Sequence, residues 1–164
     1  MSRTAVVILN YNGEKLLRQF LPSVLQHSTG AEIIVADNAS SDQSVVILRQ
    51  YFPQVRLIQL DDNYGFCGGY NRALKQVQAD YYVLLNSDIE VTANWLTPMI
   101  QLLDSHPRIA AVQPKILSFH NKERFEHAGA GGGYVDSLGY PFCRGRIFDH
   151  IEEDTGQYND ELPV

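Results

Sequence analysis

Apolar and polar positions along this chain fall into blocks that read as strand, turn and helix in rotation. Thr4 to Leu9 (TAVVIL) is a continuous apolar run rich in β-branched residues, and it stops at the turn signal Asn10-Tyr11-Asn12-Gly13. A run without polar alternation suits a parallel strand buried on both faces. Leu16, Leu17, Phe20, Leu21, Val24 and Leu25 then recur at three- and four-residue spacing, which predicts a helix that Pro22 kinks or divides. Further strands are expected at Glu32–Ala36, Val55–Leu60, Tyr81–Leu85 and Ile109–Gln113. Between them, Ser41 is placed to cap a helix reaching about Tyr51, and Leu74 and Val77 mark a helix over Tyr70–Gln78. Thr92 is placed to cap the helix carrying Trp95, Leu96, Met99, Ile100, Leu102 and Leu103, with Pro107 beyond its end. Strands alternating with helices imply an α/β fold: a parallel sheet, right-handed crossovers and helices on both faces.

The rhythm changes after about Lys115. Gly129, Gly131, Gly132, Gly133, Gly139 and Gly145 crowd a stretch of short apolar pieces, read as loops and hairpins without helices. From Phe148 onward the chain is acidic (Asp149, Glu152, Glu153, Asp154, Asp160 and Glu161), and neither strand nor helix is expected there. Leu162-Pro163-Val164 supplies no closing element. The expectation is one domain over residues 1–146, followed by an acidic tail over 147–164 that continues into a longer protein.

Charge and composition narrow the function. The 164 residues fit one domain and carry a formal net charge of -6, which disfavours a nucleic-acid partner. Acidity does not exclude a phosphate ligand, because a bound metal ion can supply the positive charge locally. Cys67 and Cys143 form neither a disulfide framework nor a CxxC metal pattern and read as free thiols of a reducing compartment. No leader peptide and no apolar run approaching the ~20 residues of a membrane span is visible, so a soluble, cytoplasmic chain is expected. HExxH and GxSxG are absent, and His27, His106, His120, His127 and His150 are scattered, as surface or packing residues are.

The candidate chemistry lies at the strand ends. In an open α/β sheet, ligands gather beyond the carboxyl ends of the strands. Four polar clusters follow four strands here: Asn10-Tyr11-Asn12, Asp37-Asn38, the loop from Asn63 to Asn71, and Asn86-Ser87-Asp88. Asp88, with Glu90 nearby, suits Mg²⁺ or Mn²⁺, which often share one or two carboxylates with substrate phosphates; the same residue type also opens turns. Asp37 and Asn38 suit a base or ribose, and equally suit turn chemistry. Tyr11 offers a flat face for a nucleobase, or is an ordinary turn tyrosine. The glycines after Asn63 allow close backbone approach before a helix start, where free N–H groups favour phosphate. They form neither GxGxxG nor GxxxxGK[ST].

Four segments, VVILNYNG, IIVADNASSDQS, NYGFCGGYNRAL and YYVLLNSDIE, occur in the order and spacing of a known family. From about Thr4 to Arg146 the chain resembles the N-terminal, donor-binding part of a family 2 glycosyltransferase, in the branch of rhamnosyltransferase-like enzymes of polysaccharide synthesis. The resemblance implies a Rossmann-like GT-A fold and a nucleotide-diphosphate sugar donor. It also implies a glycan or lipid-linked acceptor, a Mg²⁺ or Mn²⁺ cofactor, transfer with inversion, and peripheral membrane association of the full-length protein. It places Asn10, Tyr11, Asn12, Asp37, Asn38, Asn63, Gly65, Asn71, Asn86 and Ser87 against the donor and Asp88 on the metal. Asn86 stands where the family's DxD-type motif begins with Asp. The general base of similar enzymes sits in a later Glu-Asp segment. Glu153-Asp154 is followed by Thr155-Gly156-Gln157-Tyr158 rather than that segment's apolar and arginine positions, so the base is expected outside this chain. Two other classes fit the residues less closely: a non-catalytic nucleotide-binding module and a metal-dependent nucleotidyltransferase. The latter usually carries a basic glycine-rich loop at the first strand, and here Lys15 lies beyond NYNG in a helical pattern.

Overall fold

The computed structural model describes residues 3–126 and 131–158. His127 and Gly129, the acidic Asp160 and Glu161, and the closing Leu162-Pro163-Val164 lie outside these residues. The chain divides into two compact units, Met1–Ile100 and Gln101–Val164.

The first unit holds β1 (Thr4–Asn10), α1 (Glu14–His27), β2 (Ala31–Asp37), α2 (Ser44–Tyr51), β3 (Arg56–Gln59), α3 (Gly65–Leu74) and β4 (Tyr81–Leu85), and α4 (Leu96–Ser105) begins in it. The four strands form one parallel sheet in the order β3-β2-β1-β4. Alternate residues of β1, β2 and β3 feed two cores, as the two-residue period of a strand requires, while β4 turns Tyr82 and Leu84 outward. Val6, Ile8, Ile33, Val35 and Leu85 pack with Leu17, Leu21 and Val24 of α1, Leu48 of α2 and Leu96 of α4. Ala5, Val7, Ile34, Ala36 and Ile58 pack on the other face with Tyr70, Ala73 and Val77. Each fully buried Val, Leu or Ile contributes roughly 1.5–3 kcal/mol relative to exposure, so the apolar runs read from the sequence are the main drive for this unit.

Several boundaries differ from expectation. Pro22 neither breaks nor divides α1; its ring is on the exposed face of a helix that runs unbroken from Glu14 to His27. Helix α2 starts at Ser44, and the carboxylate of Asp42, not Ser41, accepts its first N–H, at 2.9 Å. Thr92 does not cap α4, because the chain turns through Asn94 at φ 61° and the helix begins at Leu96. Helix α3 starts five residues early, inside the glycine-rich stretch. Its first turn is held by neighbours: Asn63 Oδ1 accepts the Gly65 N–H at 3.0 Å, and Asn38 Oδ1 accepts that of Tyr64 at 3.1 Å. Those bonds outweigh the low helix propensity of glycine.

The strand expected over Ile109–Gln113 does not form. The Ile109 N–H closes a turn on the His106 carbonyl at 2.9 Å, and no ladder follows among the described residues. Pro107 and Pro114 bracket the segment and two of its five residues are alanine, so it has little to hold it extended without a partner strand.

The second unit is hairpins and turns without a helix after Ser105 among the described residues. Strands β5 (Gly133–Val135) and β6 (Pro141–Cys143) pair antiparallel, as do β7 (Arg146–Ile147) and β8 (His150–Ile151). The short β8 corrects the expectation of no strand beyond Phe148. Phe125, 1% exposed, is this unit's buried anchor, with the Tyr158 ring 5.6 Å away.

The turns that open α1 and α2 cap each other. Asp42 accepts the N–H of Glu14 at 3.0 Å as well as that of Ser44, while Glu14 accepts the N–H of Gln43 at 3.1 Å. Burial pushes the Asp42 carboxyl up, but the hydrogen bonds from Ser44, then Glu14, outweigh it and hold the group below its ordinary 3.8. A depressed folded-state value stabilises above the unfolded value and is lost as pH falls through the folded one. Asp42→Ala is therefore expected to cost about 1 kcal/mol near neutral pH. That difference should shrink progressively below pH 3.8. Urea unfolding at both pH values checks it, and a gap that did not change would contradict the cap.

Candidate functional site

The topology decides where a site can be. Connections step from β1 outward to β2 and β3, and the next strand, β4, returns to the other side of β1. That reversal leaves a crevice beyond the carboxyl ends of β1 and β4, the place where open α/β sheets bind ligands. A cavity of about 420 Å³ lies there, lined by Leu9, Tyr11, Asn38, Asn63, Gly65, Phe66, Asn86, Ser87 and Asp88. All four polar clusters marked in the sequence contribute to it.

The clusters divide by role. Asn10 and Asp37, 1% and 2% exposed, face each other at the end of the β1–β2 ladder. Asn10 Nδ2 donates to Asp37 Oδ1 at 3.0 Å and to Ser40 Oγ at 3.2 Å, and Asp37 Oδ2 accepts the Ser40 N–H at 3.0 Å. Asn12, at φ 51°, donates its N–H to Ser40 Oγ at 2.9 Å and accepts the Ser41 N–H at 2.8 Å. Asn10, Asn12 and Asp37 therefore brace the two turns and do not line the cavity. Asn10 Oδ1 is buried and has no hydrogen-bond partner among the described residues.

Asn38 touches the cavity yet is 2% exposed, with its amide engaged: Nδ2 donates to Asn63 Oδ1 at 2.7 Å and to the Gly65 carbonyl at 3.2 Å. It fastens the loop after β3 onto the end of β2. Gly69 serves the same docking, because a Cβ there would sit 2.8 Å from Leu9 Cδ1 and 3.2 Å from Asn38 Nδ2. Asn63 Oδ1 is consumed by Asn38 and Gly65, so its NH₂ group is what it can offer a ligand. Asn71 is exposed on α3 and does not line the cavity.

On the open side stand Tyr11, 52% exposed, and Phe66, 61% exposed. Asn86 and Asp88 are exposed and Ser87 half-buried, on the turn that leaves β4. Among the described residues, Asp88 is the one carboxylate of the lining, and the lining includes no Lys, Arg or His. Among the described residues no three His, Cys, Asp or Glu side chains converge as a ready-made metal cage. Leu9 and Phe66 were not singled out from sequence; the signal for Phe66 was a large aromatic amid glycines in a polar loop. In the second unit, Glu153 pairs with Arg124 at 3.3 Å and Asp154 with Lys115 at 2.6 Å. The Lys115 ammonium holds the Asp154 carboxyl below its ordinary value.

The model of "Glycosyl transferase family 2" matches residues 5–156. The poly(ribitol-phosphate) beta-N-acetylglucosaminyltransferase TarS of Staphylococcus aureus is 30% identical over 112 residues, 65% of this chain and 20% of its own length. The chain thus spans about a fifth of that relative. In three dimensions it resembles S. aureus TarS 1-349 in complex with UDP-GlcNAc, with a TM-score of 0.57 at 24% identity over 71% of this chain and 38% of that one. It also resembles the mannosyltransferase PcManGT from Pyrobaculum calidifontis in complex with GDP-Man and Mn²⁺, at a TM-score of 0.56 and 20% identity over 70% and 34%. The fold is the GT-A type expected from the motifs.

The bracing network gives a direct test. A Cβ on Gly13 would overlap Asn10 Oδ1 and reach within 3.9 Å of Ser87 Oγ. Gly13→Ala must therefore push Asn10 off Asp37 and Ser40, and a loss of about 1–3 kcal/mol is expected. Chemical denaturation measures it; wild-type stability in this variant would show that the network yields without cost.

Proposed function

The chain belongs to glycosyl transferase family 2, and from that premise we propose that the β1–β4 crevice binds a nucleotide-diphosphate sugar for transfer to an acceptor hydroxyl. The observation that carries this reading is the convergence of four strand-end clusters on one cavity at the reversal of strand order. Tyr11 supplies a flat, half-exposed face for the base. Asn63 supplies amide donors, and Asn86, Ser87 and Asp88 receive the diphosphate end. Asn10, Asn12, Asp37 and Asn38 act as the frame that holds those groups in place.

The charge balance argues for a cation. A diphosphate in this cavity meets the Asp88 carboxylate and no basic side chain of the lining. A hard divalent ion resolves the conflict, since Mg²⁺ or Mn²⁺ often takes one or two carboxylates and completes its shell with phosphate oxygens and water. Asp88 is the residue that would hold it. When bound, such an ion draws charge from the departing diphosphate as a Lewis acid. With one carboxylate and no cage, the site is expected to hold metal well only together with the nucleotide.

In the proposed transfer the acceptor oxygen bonds to the anomeric carbon from the face opposite the diphosphate, whose bond to that carbon breaks, giving inversion. The acceptor's proton passes to a carboxylate outside the cavity lining. Glu153 and Asp154, each held in an ion pair, are not assigned to that role. The family, its relatives and the formal net charge of -6 favour a glycan or lipid-linked acceptor over nucleic acid.

Calorimetric titration with UDP, GDP and dTDP, each in Mn²⁺ and in EDTA, tests the reading. One diphosphate is expected to bind in Mn²⁺. Asp88→Ala should weaken that binding at least tenfold, about 1.4 kcal/mol, and leave binding in EDTA no weaker than in wild type. Failure of all three diphosphates to bind the wild type, or full Mn²⁺-dependent affinity in Asp88→Ala, would overturn it.

A further inference from the structure

Tyr70 joins the two walls of the cavity without lining it. It sits in α3 and is 4% exposed. Its hydroxyl donates to the Leu85 carbonyl at 3.1 Å. Leu85 is the last residue of β4, so this bond grips the backbone immediately before Asn86-Ser87-Asp88. The same ring meets Phe66 edge to face, with centroids 5.0 Å apart at 72°. Phe66 also lines the cavity, at the amino end of α3. One buried side chain therefore contacts the base of the Asn86–Asp88 turn through its oxygen and the aromatic wall through its ring.

The chemistry of the contact is durable. Burial pushes the Tyr70 phenol above its ordinary value of 10.0, and a hydrogen bond with the Leu9 backbone opposes this only in part. The group therefore stays a protonated donor at neutral pH. Its acceptor also matters: among the described residues β4 is the outer strand of the sheet, with β1 its one ladder partner. The end of an edge strand is held less firmly than that of a central strand, and a side-chain tether at its last residue restrains it.

We propose that Tyr70 is a positioning residue that sets the Asn86-Ser87-Asp88 turn against the amino end of α3, and so the spacing available to a metal-bound diphosphate. This rests on the donor-binding reading. Tyr70 acts through the Leu85 carbonyl and Phe66 and touches no reacting atom. Its loss changes the metal-and-phosphate end of the site and spares the group that meets the base, Tyr11.

The test is Tyr70→Phe, which removes the hydroxyl and keeps the ring against Phe66. Tyr82→Phe is the control, because the Tyr82 hydroxyl also bridges backbone, donating to Val77 O at 3.1 Å and accepting from Ala79 N at 3.2 Å, at the amino end of β4. Each chain is titrated with the diphosphate that wild type binds best among UDP, GDP and dTDP, in Mn²⁺ and in EDTA. In Tyr70→Phe the affinity gained from Mn²⁺ is expected to fall five- to tenfold, with affinity in EDTA within twofold of wild type. Tyr82→Phe is expected to keep the full gain while losing thermal stability. If wild type binds none of the diphosphates, the donor reading fails and takes this inference with it. If wild type binds and Tyr70→Phe keeps the full gain, the positioning role alone is overturned. It is overturned equally if Tyr70→Phe weakens binding in Mn²⁺ and EDTA alike, or if Tyr82→Phe shows the same loss of gain.

Discussion

The strand-end turns of the first unit depend on one buried contact, the hydrogen bond from Asn10 to Asp37 across the ends of β1 and β2. An unpaired carboxylate at 2% exposure would be costly, because desolvation falls hardest on charge. Asp37 avoids that cost by accepting from Asn10 and from the Ser40 N–H. The bonds that satisfy it also fix where both turns lie. Ser40 then holds Asn12, Asn12 holds Ser41, and the amino ends of α1 and α2 are capped from each other's turns. Local chain geometry at the strand ends thus follows from the requirement to satisfy one buried acid.

A second polar layer is built on the first. Asn38, next to Asp37, commits its amide to the loop after β3 and so determines where Asn63, Gly65 and Phe66 stand. Gly69 allows α3 to approach closely enough for that to happen. The cavity is therefore shaped by residues that are spent on the fold, and its chemistry rests with the few that are not: Tyr11, Phe66, Asn63 and the Asn86–Asp88 turn. This division suits a site that must present donors and a carboxylate at fixed spacing, since groups held by rigid strand ends lose less freedom on binding.

The lining also bears on how charge is handled. A cavity with Asp88 and, among the described residues, without a basic side chain is poorly suited to a bare diphosphate and well suited to one that arrives with a divalent cation. The amino end of α3 adds a favourable dipole of modest size, though the Gly65 N–H is already engaged by Asn63. Membership of glycosyl transferase family 2 and the GT-A resemblance are consistent with that balance.

The sequence by itself determined the strands of the sheet, three of the four flanking helices in outline, and the polar clusters at the strand ends. It could do so because burial on both faces demands long apolar runs, and turns demand Asn, Asp, Ser and Gly. It did not separate framework from ligand group. Asp37 and Asn38 look alike in sequence to Asn86 and Asp88, and only the tertiary structure turned the first pair inward to their partners and left Asn86 and Asp88 exposed. The glycine-rich start of α3 was illegible for the same reason, since its first turn is held by Asn38 and Asn63 rather than by its own propensity. Ile109–Gln113 failed in the opposite sense: its pattern was that of a strand, and a strand exists only with a neighbour to accept its hydrogen bonds.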